Sequence, residues 1–216
     1  MDLEQKRLWM VERQLAGRDI KDKRVLDAFR EIRREDFVLA KNIGESYDDC
    51  PLPIGEGQTI SQPYIVALML QLLSLEGGES VLELGTGSGY QTALLAALGA
   101  RIYSVERSEK LLARARARLE SAGFSEISFL ADDGTLGWQE HAPYDRIIVS
   151  AAAPGVPQPL KEQLADGGVI VIPLGPRLAQ RLTVMSRKGD KFVSRGYTGC
   201  AFVPLVGKYG FAPDDW

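Results

Sequence analysis

Val81-Leu82-Glu83-Leu84-Gly85-Thr86-Gly87-Ser88-Gly89-Tyr90 decides the fold. Val81 to Leu84 read as a buried strand, and a glycine-rich turn follows. A helix then opens, with Ala93, Leu94, Ala96, Ala97 and Leu98 as its apolar positions. Strand, glycine loop and helix form the opening unit of a nucleotide-cofactor domain. In open parallel sheets ligands bind at the carboxyl ends of the strands, where this loop would sit.

The spacing narrows the ligand. A dinucleotide fingerprint needs G-x-G-x-x-G, so that a pyrophosphate rests on the helix N-terminus. Here Gly85, Gly87 and Gly89 give G-x-G-x-G, with an acid at Glu83 and no Gly-Lys-Ser/Thr ending. An acid beside the loop disfavours phosphate and suits a ligand with a cationic amino group. S-adenosylmethionine has such a group, a sulfonium and no phosphate. One helix later, Ile102-Tyr103-Ser104-Val105-Glu106 reads as the next strand, and its closing acid can accept both ribose hydroxyls. Ile127 to Leu130 is the third strand and runs into Ala131-Asp132-Asp133-Gly134. An aspartate there can accept from an adenine amino group, or it can cap its own turn.

The remaining chain fits one α/β domain. It has 216 residues, 45% hydrophobic and 25% charged, with a formal net charge of −3. These values predict an ordinary globular protein, and no basic run points to duplex nucleic acid. No signal core opens the chain and no stretch is long enough to span a bilayer, so no membrane role is expected. Cys50 and Cys200 lie far apart and read as reduced thiols of a cytoplasmic protein. One histidine, His141, and two distant cysteines offer no metal ligand cluster, so no metal is expected.

In order, residues 3 to 16 predict a helix, with Leu8, Val11 and Leu15 near helical spacing. Asp22 caps a second helix running to about Arg33. Both read as a cap over the binding edge, and their basic residues as a solvated face. Residues 47 to 61 are rich in Pro and Gly and predict a long loop. Its Gln58, Thr59 and Ser61 are neutral donors that can hold a carboxylate, or can satisfy the loop's own backbone. Ser108 precedes a further helix with Leu112, Ala115, Leu119 and Ala122 inside. Strands are expected at 144–150 and 168–173, and a final hairpin is joined by Lys188-Gly189-Asp190. A short tail ends at Trp216. Alternating strands and helices predict a parallel sheet.

Several stretches together resemble the protein-L-isoaspartate (D-aspartate) O-methyltransferase family. They are Leu52 through Gly57-Gln58-Thr59-Ile60-Ser61-Gln62-Pro63-Tyr64, the loop Val81 to Gln91, Val105-Glu106-Arg107, Ala142 to Val149, and Phe202-Val203-Pro204-Leu205. The glycine loop is common to many methyltransferases, whereas Gly-Gln-Thr-Ile-Ser-Gln-Pro is far more specific. The resemblance implies a Rossmann-like, seven-stranded class I methyltransferase sheet in a single domain. Residues 1–60 would form a helical cap and acceptor loop, and residues 61–216 a cofactor-binding core with its C-terminal hairpin. It implies S-adenosyl-L-methionine as donor, S-adenosyl-L-homocysteine as product, and isoaspartyl-containing peptides and proteins as acceptors. Ser61 is then the residue nearest the chemistry, with Gln58, Thr59, Ile60 and Val203 on the substrate. Glu83, Gly85, Thr86, Gly87, Ser88, Gly89, Glu106, Arg107, Asp132, Asp133 and Gly134 would hold the cofactor. A monomer is expected.

Three positions depart from the family pattern. Asp132 stands for a glycine, Arg33 for a proline, and Cys200-Ala201 lie where an arginine is usual. The last departure motivates a rival acceptor, the ordinary Asp or Glu carboxylates of a dedicated peptide. A cofactor-sensing protein without catalysis is a second rival. An NAD-linked enzyme is a third, but it lacks its glycine spacing and its catalytic set.

Overall fold

A computed structural model describes residues 1–177 and 179–212. The last four residues of the expected tail, 213–216, lie outside the described residues.

The N-terminal helix α1 spans Leu3–Trp9, opened by a capping box between Asp2 and Gln5. It continues as a π-helix over Met10–Ala16. That wider turn changes the inward face: Met10, Val11 and Leu15 are buried, while Leu8 is exposed. Helix α2, Lys23–Glu31, starts where the Asp22 side chain accepts from the amides of Arg24 and Val25.

The expected loop before the glycine unit is instead a small hairpin. Strand β1, Leu52–Gly55, pairs antiparallel with β2, Gln58–Ile60. Gly55, Glu56 and Gly57 make its turn, all with positive φ. Helix α3, Pro63–Leu73, follows at once, with proline at its first position, where no amide partner is lost.

The central sheet then builds up in order. Strand β3 is Ser80–Leu84, helix α4 Tyr90–Ala97, strand β4 Arg101–Glu106, helix α5 Glu109–Ser121 and strand β5 Ile127–Ala131. Strand β6 is Tyr144–Val149, helix α6 Gln158–Glu162, strand β7 Leu164–Leu174, strand β8 Gln180–Lys188 and strand β9 Lys191–Cys200. The spatial order is β5-β4-β3-β6-β7-β8-β9. The pairs β3–β4, β4–β5, β3–β6 and β6–β7 are parallel, and β7–β8–β9 are antiparallel. The seven-stranded sheet and its terminal hairpin are therefore as expected.

All five residues of β3 are buried, because helices cover both faces of a parallel centre. Two apolar cores result. One holds Val81, Ile102 and Ile148 with the N-terminal helices, α3 and α4. The other holds Leu82, Leu84, Ile147 and Leu160. In α5 the inward residues are Leu111, Ala115 and Leu119; Ala122 is exposed and Leu112 only half-buried. The order in which strands are added reverses between β3 and β6, with β4 and β5 on one side and β6 to β9 on the other. Ligands gather at such a switch point.

Candidate functional site

A cavity opens at the carboxyl ends of β3, β4 and β6. It encloses about 990 Å³ of space, its open mouth included. Its floor is Gly85, Thr86, Gly87 and Ser88, with Tyr90 and Gln91 from the first turn of α4. Glu106 and Arg107 close one side, Ser150 and Ala151 the other. Gln58, Thr59, Ile60 and Ser61 come from β2 and the link to α3, and Val203, Pro204, Leu205 and Val206 from the C-terminal segment. That segment is held by Ala152, whose amide donates to the Val203 carbonyl and whose carbonyl accepts from Leu205.

Glycine is required at two floor positions. Gly85 has φ +93° and Gly87 φ +55°, and a side chain on Gly85 would meet Ser150 at 3.4 Å. The Glu106 carboxylate turns back over this floor. It accepts from the Gly87 amide at 2.9 Å and from the Ser108 amide at 2.9 Å. Each oxygen keeps a lone pair for a ligand.

Four expected cofactor residues do not reach the cavity. Glu83 is fully buried and points under α4. It accepts from Thr92 Oγ1 (2.7 Å), Ser104 Oγ (2.7 Å) and Gln91 Nε2 (3.1 Å). Burial pushes its carboxyl up to about 7, against the pull of those three donors. It therefore acts through its neighbours. Gln91 also donates to Ser150 Oγ at 2.8 Å, and Ser104 bonds Thr86 at 2.6 Å. Gly89 is buried against α5, where a side chain would meet Leu119 at 3.2 Å, so it serves helix packing.

Asp132 and Asp133 line a shallower neighbouring hollow with Arg107, Glu109 and Val206. Asp133 behaves as a turn residue. Its Oδ1 accepts from the amide and hydroxyl of Thr135 (2.9 and 2.7 Å), and Oδ2 from the Lys208 amide at 2.8 Å. Those bonds engage both of its oxygens. Gly134, next to it, does line the main cavity.

A second cleft adjoins the first. Thr59, Ser61, Ser150 and Val203 line both. Arg18, Gln62, Tyr64, Cys200, Ala201 and Phe202 complete much of its wall. Ser61 thus stands in the partition between two chambers, while Gln58 and Ile60 face only the first. The N-terminal helices do not cover the binding edge as a cap: they lie against α3 and α4, and only Arg18, just past the π-helix, reaches either chamber. His141 is in neither; it stacks on Tyr103 at 4.4 Å. Among the described residues no group of three or more His, Cys, Asp or Glu could hold a metal.

Ser150, Gln91 and Arg18 were not singled out by the sequence. Ser150 carried a usable signal, since it directly follows a strand in a parallel sheet. Arg18 carried none.

The family model for protein-L-isoaspartate(D-aspartate) O-methyltransferase matches residues 5–210. The chain belongs to that family. A protein-L-isoaspartate O-methyltransferase of Dictyoglomus thermophilum is 53% identical over 210 residues, covering 97% of this chain and 95% of the relative. A solved protein-L-isoaspartate O-methyltransferase is 29% identical with a TM-score of 0.85, covering 96% of this chain and 67% of its own. A Plasmodium falciparum structure described as a protein-L-isoaspartate O-methyltransferase, in complex with S-adenosyl-L-homocysteine, has a TM-score of 0.80. It is 22% identical, covers 93% of this chain and 98% of its own, and shows the shared fold. Family membership over nearly the whole chain coincides with the glycine floor and the Ser61 partition.

Proposed function

We propose that this protein is a methyltransferase that moves a methyl group from S-adenosyl-L-methionine to the free α-carboxylate of L-isoaspartyl residues, and of D-aspartyl residues, in damaged proteins. The observation that carries the reading is Ser61 in the wall shared by two chambers. One chamber suits an adenosine-bearing donor and the other an extended peptide.

The first chamber fits the donor's chemistry. The Glu106 carboxylate would take the ribose hydroxyls with its remaining lone pairs. Gly85 and Gly87 leave bare backbone, and Gln91 and Ser150 supply neutral polar groups beside it. A methyl on a sulfonium is the electrophile that this donor supplies. The acceptor carboxylate is already ionised at neutral pH, so no general base is needed. That agrees with a site lined by no histidine. Ser61, Thr59 and nearby amides would orient the acceptor oxygen without trapping it in an ion pair. Positioning of this kind supplies roughly 7–11 kcal/mol of a barrier. The neighbouring amide nitrogen of the product then attacks the ester carbonyl and expels methanol, giving a succinimide. Water opens the ring partly to normal aspartate, which is the repair.

In this reading Thr59, Ser61 and residues 199–203 face the acceptor, and the sheet from β3 onward carries the donor. No helix among the described residues is long and apolar enough to cross a membrane. A monomer working in the cytoplasm on isoaspartyl peptides and proteins fits the two free, unpaired cysteines.

The test uses methyl-labelled S-adenosylmethionine and two peptides that differ only in an isoaspartyl or aspartyl linkage. Base-labile label on the isoaspartyl peptide alone is expected. Label on the aspartyl peptide would move the acceptor to ordinary carboxylates. Ser61→Ala is expected to lower kcat roughly 10- to 100-fold, about 1.4–2.7 kcal/mol of lost orientation, with donor binding unchanged. Full activity in that variant would remove Ser61 from its assigned role.

A further inference from the structure

The second chamber, read above as the acceptor cleft, has one charged residue on its wall. Arg18 is that residue; the rest of the lining is neutral. Arg18 does not line the donor chamber, so it lies away from the reacting atoms. The side chain is held from two sides although it is 43% exposed. Its guanidinium stacks over the Tyr64 ring, 4.5 Å from the centroid. One terminal nitrogen, Nη2, is paired with Asp49. Tyr64 is itself fixed, donating its hydroxyl to Asp19 at 2.8 Å. The Asp49 carbonyl accepts from Gln62 at 3.1 Å, which ties the pair to the start of α3.

Asp49 engages only Nη2. The other N–H groups of Arg18 have no side-chain acceptor among the described residues. An arginine has five donors in a rigid fork that matches a carboxylate, and stacking on an aromatic ring fixes the fork in advance. The chain as a whole carries a formal net charge of −3. Only Nη2 of Arg18 is taken by Asp49, so the fork's remaining donors are left for a carboxylate in the cleft.

We propose that Arg18 is a specificity-determining residue that favours acceptor peptides with an acidic side chain next to the damaged residue. This rests on the isoaspartyl reading above and assigns the cleft's charge preference. Arg18 contacts the non-reacting part of the acceptor, so it acts on KM and leaves kcat alone.

The experiment measures kcat and KM for three isoaspartyl peptides whose residues beside the isoaspartate are both Glu, both Gln or both Lys. The wild-type protein is expected to show KM rising in that order, roughly two- to fivefold per step, the size of a partly exposed ion pair. Raising the ionic strength compresses the order. Arg18→Gln removes the preference at unchanged kcat and thermal midpoint, and Arg18→Lys restores most of it. Equal KM for all three peptides in the wild type overturns the proposal and leaves the isoaspartyl reading standing. So does a preference that survives Arg18→Gln. A fall in kcat and thermal midpoint with the preference intact makes Arg18 a structural residue instead. If the wild type methylates none of the three while still binding donor, both the acceptor reading and the Arg18 proposal fall.

Discussion

Replacing Glu83 with alanine is expected to cost about 3–5 kcal/mol of folding stability, because three buried donors lose their acceptor at once. Thr92, Ser104 and Gln91 all converge on this carboxylate, and each is buried. Gln91 and Thr86 would lose their fixed positions on the cavity floor as well. Glu83→Gln keeps the volume and one acceptor oxygen but offers donors to donors, so an intermediate loss is expected. Denaturant unfolding of the three proteins gives the measurement. A change under about 1 kcal/mol for Glu83→Ala would mean that the network relaxes around the gap.

The same residue sets a pH dependence. Burial raises the folded-state carboxyl to about 7 from its ordinary 4.5, so the folded chain binds the extra proton between those values. Stability from this group is fully present below about 4.5 and is lost as pH rises through about 7. Relative to Glu83→Gln, the wild type should therefore weaken by roughly 3 kcal/mol across that window, by linkage from one group. A difference that is flat with pH would show that the three donors outweigh burial and keep Glu83 ionised throughout.

Glu106→Ala is expected to weaken donor binding by about 100-fold, the loss of charge-assisted hydrogen bonds worth about 1.5–3 kcal/mol each. The Glu106 carboxylate both shapes the floor through Gly87 and lines the cavity. Calorimetric titration with S-adenosyl-L-homocysteine reads this directly. Affinity within threefold of wild type would assign the ribose end of the cavity elsewhere.

The core of the fold was legible because its signals are local. A buried strand, a G-x-G-x-G turn and a helix occupy one continuous stretch, and the later strands repeat the pattern. The hairpin at 52–60 escaped because its strands are only four and three residues long, and Pro53 breaks their alternation. Glu83 was misplaced for a subtler reason. In a strand it shares a face with Val81, and Val81 packs in the core beneath α4. Counting by two would have sent the acid to the interior. Asp133 likewise had its partner in view, since Thr135 two residues on completes a side-chain turn. Arg18 was beyond reach, because its cleft joins residues 18, 51–65, 150 and 199–203, and only the folded chain brings them together.

In a living cell an adenosine site is never without competitors. Many abundant metabolites carry the same adenosine with phosphates attached, and the strand-loop-helix unit is the usual cradle for those phosphates. Here the loop amide of Gly87 is already taken by the protein's own carboxylate. An incoming phosphate would meet a negative charge where it needs a donor, and would have to break that clasp to enter. The Gly87 amide that would otherwise greet a phosphate is thus closed to it by the chain itself.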